Sequence, residues 1–279
     1  MYDTPAESVM KALHGDIPQQ IPFTVYAEKI PQCTVERDLR NRGLCIVKRV
    51  TSYKLYQPNV RCESYHYTDE KGRRLVRTVY STPYGDLSTV TESVGFTVWR
   101  HEYMFKSPDD YKALLFMLQD IVVEANYDEV AKLASDLGED FVVRDSLGSE
   151  PLQALISSIY FSMEDFCLEW MDNRDEILKL YEANLELSRK IYPIVANGPL
   201  NFANYGGNVK PQVIGVETFR KYYLPHYNEA AEILHKKGKL IGCHFDADNT
   251  PIMDAIGETD LDYIEAYMCV RLRKEPYLP

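Results

Sequence analysis

The chain has no apolar run near the ~20 residues that would cross a bilayer. Its 31 Lys and Arg are outnumbered by 42 Asp and Glu, giving a net charge of −11. No basic field is therefore expected to hold a nucleic-acid backbone. None of the six cysteines (33, 45, 62, 167, 243 and 269) forms a Cys-x-x-Cys pair, and a chain of 279 residues has no need of a disulfide framework. The first residues, MYDTPAESVMKALHGD, carry charges where a signal peptide would have its apolar core. Internal repeats, low-complexity segments and an interdomain linker are also lacking. These absences point to a reduced, cytoplasmic setting and to small-molecule chemistry, with neither nucleic acid nor membrane as partner. What is present is ordinary globular composition, 45% apolar and 26% charged. The length suits two domains or one α/β barrel of ~250 residues.

Residues 5–14 read as a short helix and IPFTVYA (21–27) as a buried strand. Between 44 and 105, β-branched and aromatic residues alternate with polar ones, the pattern of an antiparallel meander of four to five strands. Asp69-Glu-Lys-Gly72 and Pro83-Tyr-Gly-Asp86 supply its turns. Ser107-Pro108-Asp109-Asp110 opens a helix with an N-cap serine, a proline and acids in the first turn. From there strands and helices alternate, which predicts a parallel sheet. Strands are expected near 121–125, 141–145, 194–198, 239–244 and 261–266, and helices at 128–137, 173–192, 216–237 and 250–258. Gly238 sits where a left-handed helix cap is expected.

Catalytic groups on such a barrel lie at the carboxyl ends of its strands. There the chain offers Glu124 with Asn126, Arg144 with Asp145, the amide-rich segment 201–208 with Asn201, Asn204 and Asn208 around a double glycine, and Cys243-His-Phe-Asp-Ala-Asp248. Glu265 ends the last strand. His244 and Asp246, two residues apart on extended backbone, point the same way and can face one ion. Glu265 on the neighbouring strand can supply a third ligand. One nitrogen and two oxygens suit zinc, and also manganese or iron. The alternative is that His244 bonds a backbone carbonyl while Asp246 caps the 250–258 helix. Arg144, with Asp145, suits recognition of an acidic substrate, or forms a salt bridge at the rim. The glycines of 201–208 let backbone N–H groups approach an anion, or merely make a surface turn.

Further motifs recur in one order. Tyr223-Leu-Pro225 precedes Gly238-Lys239, then His244-Phe-Asp246, then Asp260-Leu-Asp-Tyr-Ile-Glu-Ala266. Upstream stand Thr82-Pro-Tyr-Gly-Asp-Leu87 and Lys106-Ser-Pro-Asp-Asp-Tyr111. In this combination residues 5–267 resemble the uroporphyrinogen decarboxylase superfamily, which includes the methylcobamide:coenzyme M methyltransferases. The resemblance implies a TIM-like (β/α)8 barrel carrying the meander as an insertion at about 44–105, with an atypical tail at 268–279. It implies methyl transfer between a separate corrinoid protein and a thiol, assisted by zinc or another divalent metal on His244, Asp246 and Glu265. Arg144 and Asp145 would be catalytic, and Asn201, Asn204, Asn208 and Glu124 would bind substrate. The alternatives are cofactor-free decarboxylation of a carboxylated substrate, as in porphyrin biosynthesis, and an inactive remnant or binding module. Six barrel strands are expected outside the meander where a closed barrel needs eight, so the barrel is expected to be incomplete.

Overall fold

The computed structural model describes residues 3–95 and 97–267; the atypical tail lies outside the described residues. The chain divides into two compact units, one formed by residues 1–54, 124–148 and 191–279, the other by 55–123 and 149–190.

The first unit is built on six strands: β1 (Phe23–Tyr26), β2 (Leu44–Arg49), β3 (Phe141–Gly148), β4 (Phe202–Tyr205), β5 (Leu240–His244) and β6 (Tyr263–Glu265). They form one sheet in chain order, every pairing parallel. A flat sheet of six would hold its outer strands about 24 Å apart, five spacings of ~4.8 Å. Here the Tyr26 hydroxyl on β1 donates to the Glu265 carboxylate on β6, so the sheet must curl until its two ends approach. The result is a half-barrel flanked by helices, compatible with an incomplete TIM-like barrel.

The strand period of two divides inward from outward residues. Inside, near the amino ends, Cys45, Val142, Phe202 and Leu240 meet Val9, Met10 and Leu13 of the helix Pro5–Leu13. Thr4 and Glu7 cap that helix reciprocally, and full burial of an apolar side chain such as Val or Phe contributes ~1.5–3 kcal/mol. The amino end of the curl is thus closed by apolar packing, and the polar inward residues gather at the carboxyl end.

Three strand assignments change. The run LCIVKR, expected to open the meander, is β2, and Leu44, Cys45 and Ile46 are buried. Its unbroken apolar start marks a strand covered on both faces rather than a half-exposed one. Val122–Ala125, expected in the barrel, instead pairs with Tyr53–Tyr56 in a separate two-stranded sheet. The expected strand at 194–198 is the end of the helix Arg174–Asn197, where Tyr192, Val195 and Ala196 are buried on its inner face. The strand proper is β4, after Gly198. Six parallel strands remain, with two places occupied by different segments.

The second unit holds the antiparallel sheet, strands Arg61–Thr68, Arg74–Thr82, Gly85–Val94 and Thr97–Glu102 in sequence order. Gly72 turns the first hairpin with φ 77°. Phe105, Tyr111, Phe161 and Phe166 pack together within this unit.

Gly242 on β5 is a required glycine. A Cβ there would lie under 3.0 Å from the ring of Tyr263, its register partner. The absent side chain lets that ring cross β5 and donate its hydroxyl proton to Asn204 Oδ1 on β4. Gly242→Ala should therefore destabilise the chain by ~1–3 kcal/mol through overpacking, measured as a lower urea midpoint; an unchanged midpoint would show the ring free to move.

Candidate functional site

Inward residues at the carboxyl ends of five strands converge on one carboxylate. Glu265 Oε1 accepts the Tyr26 hydroxyl proton. Its Oε2 lies 2.6 Å from Arg144 Nη1, accepts from Asn204 Nδ2 at 3.0 Å, and faces His244 Nδ1 at 3.3 Å. The far ring nitrogen, His244 Nε2, is 3.4 Å from Asp246 Oδ2. Register explains the gathering: Glu265 sits opposite His244, and Asn204 is opposite Gly242.

Arg144 has Arg49 as its register partner on β2, so two guanidinium groups stand side by side. Like charges directly across a strand pair repel. Each has a counter-charge, Glu28 for Arg49 and Glu265 for Arg144. The Tyr26 ring adds its electron-rich face to both, 4.3 Å from Arg49 Cζ and 5.6 Å from Arg144 Cζ. Burial pushes the Glu265 carboxyl up to about 7 and pulls the Arg144 guanidinium below its usual value. Facing each other at 2.6 Å, the two charges offset part of that desolvation. Beyond Glu265 the backbone is held in the left-handed region, with Ala266 at φ 56°, a conformation costing ~1–2 kcal/mol for a residue with a Cβ.

Of the residues expected from sequence, Arg144, Asn204, His244, Asp246 and Glu265 come together. Asp145 does not join them, because the next residue on a strand points outward. It is 1% exposed, and its Oδ1 accepts the backbone N–H of Ser52 and of Ser146, each at 2.9 Å. Asn201 precedes β4 and so lies toward the amino end, where its carbonyl accepts from Leu240 N. Asn208 is exposed in the segment after β4, at φ 50°, and Glu124 is exposed on a strand outside the parallel sheet. The turn that leads into the helix after β5 is held by Asp248, whose Oδ1 accepts from Thr250, rather than by Asp246. Tyr26, Arg49 and Tyr263 escaped the sequence reading. Tyr26 and Arg49 each end a parallel strand, and that position was the available signal.

The expected metal ligands do not converge on one point. Glu265 approaches one ring nitrogen of His244 and Asp246 the other, and the two directions diverge. Glu265 also has Arg144 against it, a poor neighbour for a dication. No group of three His, Cys, Asp or Glu side chains able to hold an ion occurs among the described residues. The cluster's chemistry is that of groups able to transfer a proton and to bind an anion.

No protein-family model matches the chain, and no curated protein matches it. A solved methyltransferase from Methanosarcina mazei is similar over 94% of this chain and 75% of its own, with a TM-score of 0.50 at 12% identity. The two share a fold. Among the described residues no helix is long and apolar enough to cross a membrane.

Burial raises the Asp145 carboxyl above its ordinary 3.8, against the opposing pull of the Ser52 and Ser146 hydrogen bonds and of Lys239. A raised folded value means a stability contribution present at low pH that is lost as pH rises through that value. Asp145→Asn keeps an acceptor oxygen and removes the charge. Its stability relative to the unchanged protein should rise as pH increases above the ordinary aspartate value of 3.8, read from urea midpoints at each pH; a difference that does not vary with pH would contradict the assignment.

Proposed function

We propose that the chain is an enzyme of methyltransferase type whose active site is the cluster at the carboxyl ends of the parallel strands. The meeting of Arg144, Asn204, His244 and Glu265 at that end carries the proposal, and the fold shared with a methyltransferase supports it. His244 takes the proton from a thiol acceptor. The resulting imidazolium is flanked by Asp246 and Glu265, one on each nitrogen. The thiolate attacks the methyl carbon of a donor, the sulfur–carbon bond forms, and the electron pair of the broken bond leaves with the donor. A separate corrinoid protein is the donor proposed, following the resemblance in the sequence. Arg144 and Asn204 orient the acceptor.

A second reading, cofactor-free decarboxylation, is favoured by one observation. A carboxyl pushed up to about 7 by burial can donate a proton to the carbon that loses carbon dioxide, with Arg144 beside it.

Incubation with a methylated corrinoid and small thiols separates the readings. Methyl transfer should give the thioether by mass spectrometry together with loss of the methyl–cobalt absorbance, and His244→Ala should slow it by ~10²-fold or more, the usual weight of a positioned base. Carbon dioxide release from carboxylated substrates without any thioether would favour the second reading. Neither product from the folded protein, with or without added divalent metal, would overturn both.

A further inference from the structure

Four partners from four strands are spent on one side chain: the Tyr26 hydroxyl of β1, Arg144 Nη1 of β3, Asn204 Nδ2 of β4 and His244 Nδ1 of β5, which donates when that nitrogen carries the proton. Three of these partners face Oε2 and one faces Oε1, so most of the roughly four lone-pair sites of a carboxylate are engaged. Two of the donors also have a contact other than Glu265: Asn204 meets the Tyr263 hydroxyl through its own oxygen, and Arg144, in register beside Arg49, faces the Tyr26 ring. The acceptor is the less secure party. It ends a three-residue outer strand, is followed by a residue in left-handed conformation, and keeps about a fifth of its side chain, 21%, in contact with solvent. Were it to swing away, Arg144 would lose its ion-pair partner while standing beside Arg49, whose own counter-charge is Glu28.

We propose that Glu265 is the resident occupant of an anion site built for a substrate carboxylate, and that it vacates the four donors when that carboxylate enters. This rests on the reading of the cluster as the active site and names the substrate class it takes: a monocarboxylate whose body extends toward the half-exposed Asp246. The exchange is like for like. One carboxylate replaces another on Tyr26, Arg144, Asn204 and His244, no charge is left buried and unpaired, and Ala266 is released from its left-handed conformation. Glu265 thus acts as an internal competitor that sets the affinity of the site.

Hexanoate and its neutral isostere hexanamide are the probes, titrated calorimetrically into the full chain without any methyl donor. Removing a competitor that occupies the site about nine-tenths of the time raises affinity ~tenfold. Glu265→Ala should therefore bind hexanoate at least that much more tightly than the unchanged protein, while hexanamide gains nothing. Adding Arg144→Met should abolish the gain. Equal hexanoate affinity with and without Glu265, or an equal gain for hexanamide, would overturn the proposal. Should Glu265→Ala fail to fold, amide exchange in the unchanged protein decides: saturating hexanoate should speed exchange across residues 264–267, and unchanged or slower exchange would overturn it. Because no methyl group is transferred in either measurement, a failure of the methyltransferase reading leaves this result standing, and a failure here leaves methyl transfer to be judged by its own product.

Discussion

The contact between Tyr26 on the first parallel strand and Glu265 on the last constrains everything else in the first unit. Six parallel strands can bring their outer members within side-chain reach only by curling. Curling makes one face concave and gives the period of two a consequence: inward residues converge and outward residues diverge. Apolar inward residues near the amino ends meet the helix Pro5–Leu13. Polar inward residues at the carboxyl ends meet one another. The site is in this sense a product of curvature, since each of its donors comes from a different strand and no two consecutive residues contribute.

Electrostatics limits what such a concentration of charge can be. Two guanidinium groups in register would repel without Glu28 and Glu265, and buried carboxyls would be disfavoured without donors. Arg144 and Glu265 each lose solvation by burial, and their ion pair at 2.6 Å sets opposite charges together in compensation. That mutual dependence makes the cluster an all-or-none arrangement. Any one charge removed leaves another exposed to the low-dielectric interior, and any replacement ligand must bring the same charge. It also sets the cluster apart from Asp145, whose outward position gives it backbone N–H donors and a structural role tying β3 to the turn after β2.

Much of this could be read in the residues before the structure, and the failures share a cause. The turn at Asp69–Gly72, the cap at Gly238 and the helix start at Ser107 follow from local chemistry and stand as expected. His244 and Glu265 were placed as neighbours because both end strands in one alternating run. By contrast LCIVKR, IVVEA and IVAN are short apolar stretches whose state depends on what packs against them. The first is covered on both faces and becomes a barrel strand, the second pairs outside the barrel, and the third completes a long helix. Periodicity cannot sort such runs. Misplacing the strand at 44–49 concealed Arg49 as well, since a side chain is recognised as a mouth residue only once its strand is known to belong to the barrel.

The shortness of β6 has an effect on how the molecule fails. Three residues, paired among the described residues with β5 alone, are the shortest strand of the sheet, and local opening begins where pairing is least. Glu265 and Tyr263 both sit on that strand, so its fraying removes the central carboxylate and loosens Asn204 together. Heat or denaturant would then dismantle the cluster while the helices and the other five strands still stood, and its loss would report on one edge of the sheet rather than on the whole chain.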